Sequence, residues 1–139
     1  MAQQRLFLDT AYIYALFNTR DQWHSNAVKW QEILEADNRS LVTTQLVLVE
    51  IGNGLSGQPF RQKAASVIRY LQDNPLVDVI PVLPSTFARA FELFEQRQDK
   101  DWGLTDCFSF IAMQDNGLTD ALTTDDHFRQ AGFNVLLLD

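Results

Sequence analysis

The segment ALTTDDHF, at residues 121–128, places two aspartates and a histidine directly after a short apolar run. Asp9 in RLFLDT, Glu50 in QLVLVEI and Asp106 in LTDC also follow apolar residues, and neither they nor Asp125 have a Lys or Arg within three residues. Carboxylates brought close together repel one another unless a cation lies between them, and hard divalent cations prefer oxygen ligands. If the fold brings these four acids together, the sequence predicts a Mg²⁺ or Mn²⁺ site.

A divalent-cation site of this composition is well suited to hydrolysing phosphodiesters. The ion binds a phosphate oxygen and activates a water molecule, and a second ion can stabilise the leaving oxygen. The formal net charge of −7 disfavours a nucleic-acid binder that neutralises phosphates with a broad basic surface. Bound cations remove this objection, because they attract phosphate in place of basic side chains.

Each acid also has a purely structural interpretation. Asp9 and Asp125 each precede a predicted helix and could be N-caps, and Asp106 in a first helical turn could complement the helix dipole. Glu50 is the hardest to explain in this way, because its helical neighbours are mostly apolar and a carboxylate buried alone is costly. The joint pattern is therefore more informative than any one acid.

The elements that must position these acids follow from the apolar pattern. Short apolar runs predict five strands, at residues 5–9, 40–44, 77–82, 121–124 and 134–138. Helical spacing predicts seven helices between them, at 10–18, 21–37, 45–55, 59–74, 84–98, 104–117 and 125–132. Thr10 is a candidate cap for the first helix, Pro59 is expected to open the fourth and Ser85 to cap the fifth, with Gly117 ending the sixth. Phe87, Ala90, Phe91 and Phe94 share one helical face.

Strands that alternate with helices predict an α/β fold with a parallel sheet and right-handed crossovers. In such sheets function gathers beyond the carboxyl ends of the strands. Asp9 ends the first strand and Asp125 follows the fourth, so both acids lie at one edge if these strands are neighbours. Asp106 begins the helix that precedes the fourth strand and is expected at or near the same edge.

Length and composition predict a single domain spanning residues 1–139, with 46% hydrophobic and 21% charged residues. No apolar run approaches the ~20 residues of a membrane span, and the first ten residues do not have the pattern of a secretory signal. The single Cys107 cannot form an internal disulfide. A cytoplasmic protein without membrane association is therefore expected.

The chain resembles the PIN-domain nucleases, and among them the VapC-type toxins of bacterial toxin–antitoxin pairs. The matching segments are FLDTAYIYALF, TTQLVLVEIGNGL, DKDWGLTDCFSFIAM and ALTTDDHFRQAGF, which with the element order cover essentially the whole chain. The resemblance implies a three-layer α/β/α fold with a five-stranded parallel sheet in the order 3-2-1-4-5. It also implies a Mg²⁺- or Mn²⁺-dependent ribonuclease that uses metal-activated water, and we expect 5′-phosphate and 3′-hydroxyl ends.

The acids of this family correspond to Asp9, Glu50, Asp106 and Asp125, as catalytic residues and metal ligands. Thr123 corresponds to a family hydroxyl and is expected to orient Asp125 or a metal-bound water. The implied partners are an RNA substrate, a second copy of the chain in a homodimer, and a small cognate antitoxin whose peptide enters the acidic groove.

One departure from the family pattern is Asp126, which stands where a basic residue could contact the RNA backbone. The remaining candidates for that contact are Arg5, Lys63, Arg69, Lys100 and Arg129, and the sequence does not rank them. Asp101 is a weaker candidate ligand. His24 and His127 are expected to be packed or hydrogen-bonded within their helices rather than catalytic.

Two other α/β enzymes with acids at strand ends fit poorly. A phosphoacceptor receiver domain needs a paired acid after strand one, another acid at the end of strand three and a lysine at the end of strand five. A DxDxT phosphatase needs a second acid after Asp9. The stronger alternative is a catalytically weak PIN domain that acts as an RNA- or protein-binding regulatory module.

Overall fold

Five parallel strands form one sheet, in the order β3-β2-β1-β4-β5, in a computed structural model that describes residues 4–138. The strands are Leu6–Leu8 (β1), Leu41–Thr44 (β2), Val77–Ile80 (β3), Asp120–Leu122 (β4) and Asn134–Val135 (β5). Helices flank the sheet in a three-layer α/β/α arrangement, so the predicted fold class and strand order are confirmed. Strand β1 lies at the centre and all three of its residues are buried.

All seven predicted helices are present between the strands. They are Thr10–Phe17 (α1), His24–Asp37 (α2), Gln45–Gly54 (α3), Arg61–Asp73 (α4), Pro84–Gln96 (α5), Leu104–Asp115 (α6) and Asp126–Gln130 (α7). Within residues 4–138, none of them is long and apolar enough to cross a membrane.

Three aromatic rings fix the helices that carry the site. Phe7 of β1 lies 6.1 Å from Phe128 of α7, and Phe128 lies 5.0 Å from Phe110 of α6, between ring centroids. All three side chains are at most 2% exposed. Burial of each aromatic side chain contributes about 1.5–3 kcal/mol, so these contacts hold α6 and α7 against the central strand.

Several predicted boundaries are wrong. The fifth strand ends at Val135, which pairs with Ala121, and Leu136–Leu138 forms a 3₁₀ helix in which the Leu137 N–H donates to the Thr123 carbonyl at 3.3 Å. The fourth helix begins at Arg61, and Pro59 lies in the preceding turn closed by a Phe60 N–H bond to Gly57 O. Ser85 does not cap the fifth helix, because Pro84 is already its first residue. Gly117 has a φ of +64° and does end the sixth.

The aromatic face of α5 remains largely outside the core. Helix α5 packs on α6, and its buried residue is Ala90. Phe87, Phe91 and Phe94 are 44%, 39% and 46% exposed. The predicted apolar face is therefore real as a pattern, but only one of its four members is buried in the core of this chain.

Candidate metal-binding site

The carboxyl ends of β1 and β4 lie side by side and bring their polar residues together. Leu8 pairs with Leu122, and the Asp9 N–H donates to the Leu122 carbonyl at 3.2 Å. Beyond this pair, the Thr123 hydroxyl donates to Asp9 Oδ2 at 2.7 Å. Asp9 is at the N-cap position of α1, yet its side chain makes no cap hydrogen bond. The Thr123 hydroxyl therefore holds the Asp9 carboxyl group at the edge formed by β1 and β4.

Asp9 is a buried acid among other acids. It is only 7% exposed. Burial raises the pKa of Asp9 to about 7. Hydrogen bonds from the Thr123 hydroxyl and the Thr10 backbone oppose this rise, and the charges of Asp106 and Glu50 add to it. A group in these surroundings is stabilised in its charged form by a nearby cation.

Glu50, on α3, is held by residues of α1. The Thr10 hydroxyl donates to Glu50 Oε1 at 2.8 Å, and the Tyr14 hydroxyl donates to the Glu50 backbone carbonyl at 2.8 Å. Burial raises the pKa of Tyr14, and the charges of Glu50 and Asp9 raise it further, so the phenol stays protonated as a donor. Neither contact is visible in the sequence, where Tyr14 has no predicted role and Thr10 is only a candidate helix cap. The adjacency of Thr10 to Asp9 is the one signal that points to it.

Asp106, Asp125 and His127 form the outer part of the site. Asp106 Oδ2 accepts from the Gly103 N–H at 3.1 Å and lies 2.9 Å from His127 Nδ1. Asp125 Oδ1 accepts from the His127 N–H at 2.9 Å and lies 3.5 Å from His127 Nδ1. One ligand atom from each of the three residues lies within 4.8 Å of the other two, a spacing that suits a metal ion.

The His127 ring lies in a different place from the one predicted. Its ring was expected to be packed or hydrogen-bonded within its own helix, but it reaches Asp106 on α6. Burial lowers the pKa of His127, but the Asp106 hydrogen bond and the charges of Asp125, Asp106 and Asp101 outweigh this and raise it. His24 instead hydrogen-bonds to the Ala15 carbonyl at 2.8 Å, remote from these acids in sequence.

The Thr123 hydroxyl contacts Asp9 as well as Asp125. It was expected to orient Asp125 or a metal-bound water; it accepts from the Asp125 backbone N–H at 3.0 Å and also donates to Asp9. Its direct effect is to hold Asp9 and to fix the backbone that leads to Asp125.

The four predicted acids thus form one series of neighbours. Asp9 lies near Glu50 and Asp106, and Asp106 contacts the His127 ring beside Asp125. The structural interpretations hold in part, since Asp125 caps α7 and Asp106 accepts from the Gly103 N–H. These bonds leave the remaining carboxylate lone pairs for a ligand.

The other candidates lie outside this series. Asp126 is exposed, and its Oδ2 accepts from Gln130 Nε2 at 3.2 Å. Arg5 precedes β1, at the opposite end of the strand from Asp9, and bonds to Asn116 at 3.3 Å. Asp101 is exposed and acts on His127 only through its charge.

Gly54 provides the space in which Tyr14 reaches Glu50. A Cβ at this position would overlap the Tyr14 hydroxyl and ring, whereas a Cβ at Gly52 meets only Ile68 Cδ1 at 3.6 Å. In a Tyr14→Ala background, we expect Gly54→Ala to raise the free energy of unfolding by about 0.5–1 kcal/mol, as for an ordinary helical glycine. In the wild-type background, we expect loss of the Tyr14 hydrogen bond, worth about 1 kcal/mol, to cancel or reverse that gain.

Chemical denaturation of the wild type, the two single variants and the double variant measures this coupling. Gly52→Ala is the matched control and should behave alike in both backgrounds. An equal effect of Gly54→Ala on stability with and without Tyr14 would show that the Tyr14 hydrogen bond does not require a glycine at position 54.

Comparison with known proteins agrees with this geometry. A family model described as PIN domain matches residues 6–134. No curated protein matches the chain. Among solved structures, Mycobacterium tuberculosis VapC20, described as a sarcin–ricin loop cleaving toxin, has a TM-score of 0.78 and 26% identity over 92% of this chain and 95% of that one.

Two further structures share the fold at lower identity. FitAcB from Neisseria gonorrhoeae has a TM-score of 0.63 and 18% identity, over 94% of this chain and 96% of that one. VapBC2 from Rickettsia felis, bound to a DNA fragment from its promoter, has a TM-score of 0.64 and 16% identity, over 95% of this chain and 96% of that one.

Proposed function

Because the chain belongs to the PIN domain family, we propose that it is a metal-dependent endoribonuclease and the toxin of a toxin–antitoxin pair. The observation that carries this proposal is the series of acids Asp9, Glu50, Asp106 and Asp125, drawn from four separate places in the chain to one end of the sheet. The similarity to a sarcin–ricin loop cleaving toxin supports RNA as the substrate.

The residues present suit a hard divalent cation such as Mg²⁺ or Mn²⁺. The donor set is dominated by carboxylates, and its innermost member, Asp9, is buried beside two other acids that raise its pKa. Asp9, Glu50, Asp106 and Asp125 would hold the ion. When bound, it polarises a phosphodiester and lowers the pKa of a water molecule.

The side chains of this protein position the acids and leave one side open to substrate. Thr123 holds Asp9, and Thr10 holds Glu50, each by a hydrogen bond under 3 Å. Exposure of the side chains rises from 19% at Asp106 to 29% at His127 and 35% at Asp125. A phosphodiester therefore approaches from the side of Asp125 and His127, while Asp9 stays shielded from solvent.

The proposal is tested by incubating the purified chain with an RNA panel that includes a sarcin–ricin loop hairpin. Cleavage is expected with Mn²⁺, leaving 5′-phosphate and 3′-hydroxyl ends, and is expected to disappear with a chelator and in Asp9→Asn. Equal cleavage under all three conditions would contradict the proposal. No cleavage under any of them would favour a catalytically weak PIN domain that serves as a binding module.

We also propose that the exposed face of α5 joins two copies of the chain in a homodimer. Leu83, Phe87, Phe91 and Phe94 follow helical spacing and are 49%, 44%, 39% and 46% exposed. Continuous apolar surface of this kind marks association sites, and aromatic side chains are enriched in them.

The double variant Phe87→Ser, Phe91→Ser is expected to be monomeric, because it removes two aromatic side chains from the centre of this face. Light scattering during size-exclusion chromatography should give twice the 15.9 kDa chain mass for the wild type and the single mass for the variant. Phe60→Ser, at a residue that is 41% exposed outside α5, is the control and should remain dimeric. A dimeric double variant would place the interface elsewhere.

We propose a second surface for the antitoxin, in addition to the acidic groove that its peptide is expected to enter. An apolar groove of about 530 Å³ lies between α1, α2 and α4, and its lining includes Ile13, Leu16, Phe17, Leu34, Val67 and Tyr70. Grooves of this character accept the apolar face of a partner helix. The product of a short reading frame beside this one is expected to co-purify with the chain and to inhibit RNA cleavage in the cytoplasm.

A further inference from the structure

We propose that His127 supplies a nitrogen ligand to the metal ion, beside Asp106 and Asp125, and that this ligand makes the site prefer Mn²⁺ to Mg²⁺. The inference rests on the proposed function, because it concerns the ion of the same site. It adds a ligand that the four-acid pattern does not contain.

The first observation is the spacing of the donor atoms. His127 Nδ1 lies 2.9 Å from Asp106 Oδ2 and 3.5 Å from Asp125 Oδ1, and all three ligand atoms fall within 4.8 Å of one another. Two ligands on opposite sides of an ion with bonds of about 2.1 Å lie about 4.2 Å apart, and adjacent ones are closer. The imidazole nitrogen and the two carboxylate oxygens thus have the spacing of neighbouring ligands around one metal ion.

The second observation is that the backbone of His127 is held in place on both sides along the chain. The His127 backbone N–H donates to Asp125 Oδ1 at 2.9 Å, which fixes the first turn of α7. The next residue, Phe128, is fully buried and packs on Phe110 and Phe7. His127 therefore cannot move far from the acids without disturbing the core.

A nitrogen ligand also affects which ion the site prefers. Mg²⁺ is bound mainly by carboxylates, phosphates and water, and it dehydrates reluctantly. Imidazole suits transition-metal ions, and Mn²⁺ combines acceptance of carboxylate ligands with a place in that series. A site with several carboxylates and one imidazole should therefore prefer Mn²⁺ over Mg²⁺ more strongly than an all-oxygen site does.

A direct test is pulsed electron paramagnetic resonance of Mn²⁺ bound to the full chain. Nitrogen modulation from a coordinated imidazole is expected in the wild type, and it should change when the two histidines are labelled with ¹⁵N. His24→Asn is the control and should leave the signal unchanged, because His24 bonds to the Ala15 carbonyl instead. This measurement on the wild type does not depend on the folding of any site variant.

Two variants separate ligation from positioning. His127→Asn retains an amide that can donate to Asp106 but lacks the ring nitrogen, whereas His127→Ala lacks both. Titration calorimetry is expected to show Mn²⁺ affinity at least about 10-fold weaker in both variants. Mg²⁺ affinity is expected to change only a few-fold, so the Mn²⁺ preference should fall.

The outcomes distinguish this inference from the proposed function. Mn²⁺ binding without nitrogen modulation, together with metal-dependent RNA cleavage, would overturn the role of His127 and leave the nuclease intact. Full Mn²⁺ affinity in His127→Asn, with loss only in His127→Ala, would make His127 a positioning residue and would also overturn the inference. Absence of any Mn²⁺ binding to the wild type would overturn both proposals.

Discussion

Asp125→Asn is expected to reduce Mn²⁺-dependent RNA cleavage by about 100-fold or more, whereas Asp126→Asn is expected to leave it within a few-fold. Loss of a residue that only supports a metal ligand already costs about 10- to 100-fold, so loss of a ligand should cost at least as much. The two substitutions change the same side chain in the same way at adjacent positions. Any difference between them therefore reports location and not charge.

The structure separates these two aspartates by their surroundings. Asp125 lies beside His127 and Asp106, and Asp126 is exposed and bonded to Gln130. Asparagine is also as good an N-cap as aspartate, so Asp125→Asn should keep the cap of α7 and its fold. Circular dichroism should show equal helix content in both variants.

Initial rates on one RNA substrate at saturating Mn²⁺ give the comparison. Equal losses in the two variants would mean that Asp126 also reaches the ion or the substrate. Full activity in Asp125→Asn would remove Asp125 from the site and leave it as a helix cap only.

The sheet and its acidic edge follow from local sequence pattern and the family resemblance. RLFLD and ALTTDD each end an apolar run with an acid, and parallel strands place such endings at one edge. The neighbour relation of the first and fourth strands came from the resemblance, and the register of Leu8 with Leu122 bears it out. These features depend on short segments whose pattern is visible within ten residues.

The contact between His127 and Asp106 depends on something the local pattern does not contain. The two residues are 21 positions apart, on helices that the packing of Phe110 on Phe128 brings together. The hydrogen bond from Thr10 to Glu50 spans 40 positions and likewise depends on how α1 and α3 pack. The sequence therefore predicts which acids come together better than it predicts which groups hold them.

The exposed aromatic face of α5 is ambiguous in sequence for a related reason. Periodicity shows that Phe87, Phe91 and Phe94 share a face, but a face that packs within the chain and one that packs on another protein have the same pattern. The exposure of these three rings in the structure, beside a fully buried Ala90, shows that they lie outside the core.

Asp9→Asn is expected to stabilise the metal-free protein at pH 8 by about 1–2 kcal/mol while it abolishes metal-dependent cleavage. The pKa of Asp9 is raised from 3.8 to about 7, mainly by burial. At about 1.36 kcal/mol per pKa unit, the ionised group lowers the free energy of unfolding by roughly 4 kcal/mol. Asparagine removes this cost, but its buried amide N–H groups need acceptors, which offsets part of the gain.

The sign of the pH dependence follows from the raised pKa. An acid that binds its proton more tightly in the folded state than in the unfolded state destabilises the fold as the pH rises from 3.8 towards 7. The advantage of Asp9→Asn should therefore be largest above pH 7 and should shrink at pH 5. Urea denaturation in the presence of a chelator measures the difference in the free energy of unfolding between Asp9→Asn and the wild type at pH 5 and at pH 8. Asp126→Asn, at an exposed residue, is the control.

Adding Mn²⁺ should reverse the order of stability. The ion stabilises the wild type by about 2.7 kcal/mol at a concentration one hundred times its Kd, and Asp9→Asn should gain much less. A variant less stable than the wild type at pH 8 without metal would mean that the Thr123 hydrogen bond to Asp9 outweighs the cost of burying the charge. If the order of stability instead reverses on addition of Mn²⁺, Asp9 serves to bind the metal ion, and it does so at a cost to the stability of the metal-free protein.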